Sequence, residues 1–182
     1  FGFQGGSPSN PALLDWLAAE LVENGWRLKH IQRLMVTSAA YRQDSRIDAT
    51  AASTTLAQQA DPENRRLWHA RPRRLEGEAV RDAMLAVSGA LNLRMFGESA
   101  RPELPEGVSA RYAWKPDAAA EDRNRRAIYV FAKRNMRFPM FEAFDQPDLH
   151  QSCARRPTTV TAPQSLLMLN SKFTRETAQG WA

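Results

Sequence analysis

The richest chemistry in this chain is concentrated between Phe144 and Asn170, in FDQPDLHQSCARRPTTVTAPQSLLMLN. Asp145, Asp148, His150 and Cys153 fall within nine residues there. A carboxylate, an imidazole and a thiol brought together can ligate a transition metal or activate the thiol as a nucleophile. The spacing matches no established ligand motif, and catalytic partners usually meet across a fold rather than along one loop. The alternative is structural: Asp145 and Asp148 accept backbone N–H bonds as turn residues around Pro147, and Cys153 fills a small apolar space. The four are therefore candidates for catalysis, and no metal site is assigned. Arg155 and Arg156 follow, with Thr158, Thr159 and Thr161 offering hydroxyls and Thr161 placed to cap a helix. Arginines beside a helix N-terminus suit an anion such as phosphate, sulfate, a haem propionate or a carboxylated sugar. Against that, both arginines could pair with Asp145, Asp148 or Glu142 and lock the loop. Gln164 and Asn170 flank the apolar SLLML and read as tie-down residues.

Two basic runs carry much of the net charge of +5. RRLWHARPRR places Arg65, Arg66, Arg71, Arg73 and Arg74 within ten residues, and residues 122–137 add six more basic side chains. Such patches attract phosphate or sulfate groups. The competing account is pairing with local acids such as Asp61, Glu63, Glu76 and Glu78 on a solvated face. His30 and His69 have no carboxylate at an obvious orienting distance in sequence. Trp16, Trp26 and Trp68 occupy core-like helical positions. Trp114, beside Lys115, is the tryptophan best placed for exposure, but packing against its own sheet is the favoured reading.

These groups must be held by a fold, and the totals bound it. At 182 residues the chain suffices for one core. We expect a single domain over 1–182, and, since neither a signal peptide nor an initiator Met begins it, a fragment of a longer chain. A single cysteine excludes an internal disulfide, a multi-thiolate zinc site and covalent c-type haem attachment in this segment. No apolar run approaches the roughly 20 residues of a membrane span.

The expected class is mainly α, a compact helical domain with one small antiparallel β hairpin. Asn10 or Ser9 caps a helix begun by Pro11 and ended at Asn24-Gly25, and a second runs to about residue 42, giving a helical hairpin over 9–43. Residues 44–60 are expected as a surface loop with at most a weak helical turn. Helices are expected over 61–89: a short one after Asp61-Pro62 and a longer one from Arg74 to Ser88. Gly77 inside the latter is either a point of close packing against a neighbour or a tolerated defect. A long connection covers 91–124, and RYAW (111–114) pairs with RAIYVFAKR (126–134) in a β hairpin spanning 111–134. A loop and C-terminal helices occupy 138–182.

Three stretches, SNPALLDWLAAELVENGWRLKHIQRLMVTSAAYRQDS (9–45), DPENRRLWHARPRRLEGEAVRDAMLAVSG (61–89) and RRAIYVFAKRNMRFPMFEAFDQPDLHQSCARRPTTVTAPQSLLMLN (125–170), together resemble the PSD domain. This is a domain of unknown function named for its abundance in Planctomycetes and related bacteria. The likeness covers most of the chain in the right order. Arg27 stands where the family often places a serine helix cap, and His150 and Gln151 fall in a variable part of its loop. The resemblance implies a place near the C-terminus of large exported proteins, often downstream of a cytochrome-c-like domain. It therefore implies a periplasmic or extracellular location, with haem in a neighbouring domain and no cofactor in this segment. It supplies no catalytic residues.

The functional expectation is a non-catalytic interaction or accessory module whose partners are other domains of the same polypeptide. The alternative is part of an extracytoplasmic hydrolase or oxidoreductase, with the 145–153 loop in its site, acting on or binding anionic polysaccharide. Nucleic-acid binding through the basic patches ranks last, because no recognition helix or RNA-binding motif stands behind it.

Overall fold

Asn10 starts the first helix by accepting the Leu13 N–H on its side chain at 3.1 Å, with Pro11 in the first helical position. That helix, α1 (Pro11–Glu23), ends where Gly25 takes φ +67°, and α2 (Leu28–Thr37) follows. The computed structural model describes residues 5–109, 111–153 and 155–180. Among them six further helices follow: α3 (Ala52–Ala60), α4 (Gly77–Val87), α5 (Ala120–Arg123), α6 (Pro139–Ala143), α7 (Ala162–Asn170) and α8 (Lys172–Gln179). The fold is mainly helical, and no described helix is long and apolar enough to cross a membrane.

The chain divides into two compact units, Phe1–Arg73 and Arg74–Ala182. In the first, α1 and α2 pack as the expected hairpin. His30 Nε2 lies 2.7 Å from Glu20 Oε1, an orienting carboxylate ten residues away that the sequence did not reveal. The expected loop over 44–60 instead contains α3, because AASTTLAQQA is rich in alanine, the strongest helix former. The short helix expected after Asp61-Pro62 does not form. Asp61 ends α3, and its carboxylate accepts the N–H groups of Arg65 and Arg66 at 2.9 and 2.7 Å. Asn64 and Leu67 turn left-handed beyond it, so side-chain bonding has won over helical continuation.

The second unit holds the apolar core. Ala127, Met140 and Phe141 are buried, with Val80, Met84, Phe138, Leu167 and Phe173 packed against them. Gly77 opens α4 against α6. A Cβ there would lie 2.9 Å from Phe144 Cβ and 3.2 Å from Phe141 Cα, so only glycine lets the two backbones approach.

The segment expected as a strand, 126–134, is instead interrupted by a 3₁₀ turn at Ala127–Tyr129. Its nearest backbone partner is Ala100: Ala100 N–H donates to Tyr129 O at 2.7 Å, and Phe131 N–H donates to Ala100 O at 2.8 Å. Among the described residues this leaves isolated bridges and no pairing with 111–114. The reason lies in Trp114. Its ring is buried between Phe131 and Phe138, and its indole N–H donates to Pro102 O at 2.7 Å. The stretch RYAW thus packs through a side chain where a ladder was expected.

Candidate functional site

Asp145 is the centre of the site region. It lies just past α6 with φ +61°, a left-handed turn that Asp adopts more readily than most residues. The turn directs its carboxylate at three donors. Arg74 Nη2 donates to Oδ2 at 2.5 Å, the Thr159 N–H to Oδ2 at 2.8 Å, and Thr159 Oγ1 to Oδ1 at 2.8 Å. The Thr159 N–H, followed by its hydroxyl and the charges of Arg74 and Arg156, holds the Asp145 carboxyl below the usual carboxylate range against the opposing effect of burial.

Arg156 completes the knot from the other side. Its Nε donates to Asp145 O at 2.9 Å and its Nη2 to Phe144 O at 3.2 Å. Its Nη1 lies 2.9 Å from Glu78 and 3.3 Å from Glu76. Gln164, buried at the start of α7, accepts the Thr161 N–H at 3.2 Å and donates to Ala143 O at 3.0 Å and Thr159 O at 3.2 Å. The structure therefore gathers Asp145, Arg74, Arg156, Thr159, Thr161 and Gln164 into one network that ties α6 to α7.

The other site residues do not join it. Asp148 Oδ1 accepts the His150 N–H at 3.0 Å, an Asx turn, while His150 Nδ1 faces Arg134 Nε at 3.3 Å on the surface. Cys153 is an exposed free thiol. Arg155 and Thr158 are exposed. Among the described residues no three His, Cys, Asp or Glu side chains gather into a metal-holding group. Within the basic run, Arg71 donates to Glu63 O, Arg74 belongs to the Asp145 network, and Arg65, Arg66 and Arg73 are exposed.

Arg81, outside both basic runs, and Arg125, inside the second, have the largest fully buried side chains among the described residues. Arg81 and Arg125 are each 1% exposed. Arg81 donates to Arg125 O at 2.8 Å and Arg123 O at 2.6 Å, while its neighbour Asp82 accepts the Ala127 N–H at 2.6 Å. Burial pushes the Arg81 guanidinium down to about 10, still charged at neutral pH. Arg125 donates to Glu98 O at 2.6 Å and stacks on Tyr129, 4.1 Å from the ring centre. The only sequence signal was position: Arg81 lies one residue past Val80 and four before Leu85 on an otherwise apolar helix face.

No curated protein and no solved structure matches the chain. The sequence profile of PSD1, a protein family of unknown function (DUF1553), matches residues 1–182, and the chain belongs to that family.

Proposed function

We propose that this chain is a non-catalytic interaction module of a larger exported bacterial protein, and that it positions another domain of the same polypeptide. The observation that carries this reading is the apolar surface of the α1–α2 hairpin. Trp26 is 69% exposed, in a left-handed conformation (φ 62°) that costs a bulky residue about 1–3 kcal/mol. Leu28 and Met35, seven residues apart on one face of α2, are also exposed, as is Trp16 on α1. Several large apolar side chains left exposed on one helical hairpin suit an interface. Arg27, Lys29 and Arg33 lie among them, which suits a partner bearing carboxylates or haem propionates.

The loop that carries the candidate chemistry supports the same reading. Asp145, Arg74 and Arg156 are engaged with one another and with main-chain groups, which is how a structural knot is built. The test is binding of the separately produced remainder of the polypeptide to this chain, with Trp26→Ser and Leu28→Asp variants beside it. Loss of binding in both variants with unchanged helix content is the expected result, and undiminished binding overturns the proposal. Association with a haem-bearing neighbour predicts that the bound partner is coloured.

A second reading, binding of anionic polysaccharide, rests on the exposed Arg65, Arg66 and Arg73. It predicts retention on a sulfated-glycan matrix that falls as salt is raised, and that disappears when the three are changed to serine.

A further inference from the structure

The second unit contains a cleft beside the Asp145 network, with which it shares Glu78. It is bounded by the first turn of α4, the segment 127–138, α6 and the loop after it, and it has a volume of about 180 Å³. A lone water needs only about 10–15 Å³, and pockets for drug-sized ligands run to roughly 300–1,000 Å³. The space therefore suits an organic molecule of about one ring. Phe131, Phe138, Met136 and Leu149 supply apolar wall, and Ile128, 76% exposed, stands at its edge.

Two polar groups in the lining have buried oxygens that accept no hydrogen bond, Glu78 Oε2 and Gln146 Oε1. Glu78 Oε2 lies 2.9 Å from Arg156 Nη1 but off its N–H direction, so the contact is an ion pair that leaves the lone pairs open. A buried acceptor without a donor costs about 1–3 kcal/mol, so an occupant bringing donors is stabilised there. Gln146 can turn its amide to accept or to donate. A hydroxyl both donates and accepts, and so satisfies either face. A cationic donor is disfavoured, because Lys133 and Arg137 line the same cleft and Arg156 already neutralises Glu78.

We propose that this cleft binds a neutral, hydroxyl-bearing ring of the pyranose type. The apolar face of the ring lies on Phe131 and Phe138, and its hydroxyls bond Glu78 and Gln146. The test is a titration of the chain with methyl glucoside, galactoside, mannoside and N-acetylglucosaminide, with methyl glucuronide and choline as charged controls, followed by amide chemical shifts.

At least one neutral glycoside is expected to shift the Gln146 side-chain amide and the 128–138 backbone saturably. Gln146→Leu should weaken that binding about tenfold, the equivalent of one lost hydrogen bond. Ile128→Glu, at an exposed position that does not threaten the fold, should weaken it independently. The proposal is overturned if no neutral glycoside shifts the cleft, if only the glucuronide or choline does, or if both variants bind as the parent does.

Discussion

Asp145 illustrates how one side chain can look catalytic and act as a clamp. Its carboxyl is held below the ordinary range chiefly by the Thr159 N–H, a main-chain donor that the folded loop alone supplies. A carboxyl with a depressed folded pKa contributes stability that is fully present above the unfolded value of about 3.9 and is lost as pH falls through the folded value. Asp145→Asn should therefore lower stability by about 1–3 kcal/mol at neutral pH. The deficit should shrink below about pH 4, where the parent is itself protonating. Urea midpoints of both proteins from neutral to acid pH check this, and a deficit independent of pH would contradict it. Arg81 makes a second test. Its planar fork spans the carbonyls of Arg125 and Arg123, a geometry that an ammonium cannot reproduce. Arg81→Lys should therefore cost nearly as much as Arg81→Met, about 3 kcal/mol or more, read from the same denaturant midpoints. Asp145 and Arg156 were legible as neighbours because both lie in one short loop, but their charge partners were not: Asp145 pairs with Arg74, and Arg156 with Glu76 and Glu78. Nor was the burial of Arg81 and Arg125, because their partners are main-chain carbonyls, and a carbonyl has no residue type to read.

At the level of elements, helix starts were written plainly where a side chain makes the cap. Asn10 and Ser171 both accept N–H bonds from their helices, and α1 and α7 begin where Pro11 and Thr161 place them. The expected strand was less secure, because β-branched and aromatic residues report a half-buried surface more than a strand backbone. In residues 126–134 Trp114 covers Phe131 edge-on while Ile128 stays 76% exposed, so the segment meets side chains rather than a neighbouring strand. The junction of α6 and α7 depends on Gln164, which bonds Ala143 O, Thr159 O and the Thr161 N–H. Gln164→Leu keeps the volume and removes all three bonds, leaving Ala143 O without its donor. A loss of about 2 kcal/mol follows from stranding one such group. Faster amide exchange should appear in 159–164 before the rest of the unit, and uniform exchange would argue against a local tie. Gly77→Ala tests the neighbouring junction. The new methyl carbon would meet Phe144 Cβ at 2.9 Å and Phe141 Cα at 3.2 Å, and the second of these is backbone that cannot rotate away. Overpacking of this kind costs about 1–3 kcal/mol, whereas an unobstructed Gly→Ala at a helix start would be neutral or stabilising, so the sign of the shift in Tm decides.

Across the whole molecule, burial is divided unequally between the two units. The buried apolar side chains, among them Leu85, Trp114, Met140, Phe141 and Phe144, all belong to residues 74–182. In residues 5–73 the only buried residues are Asp61 and Asn64, both polar and both bonded to nearby main chain. Hydrophobic burial supplies most of the free energy that offsets chain entropy, and a segment of roughly 70 residues or fewer has little to spare. Residues 74–182 produced alone should therefore give a sigmoidal urea transition with a near-ultraviolet signal from Trp114. Residues 1–73 produced alone should show helical content without a cooperative transition. The exposed Trp16, Trp26, Leu28 and Met35 explain why: burying them against a partner would add the missing apolar area, at about 25 cal/mol for each Å² removed from water. A cooperative transition for 1–73 on its own would mean that its polar turn and helical hairpin suffice, and the case for an apolar docking face would fall with it. A transition that is absent in isolation and appears on adding the neighbouring domain proposed above would locate the partner and give its affinity from the shift in midpoint.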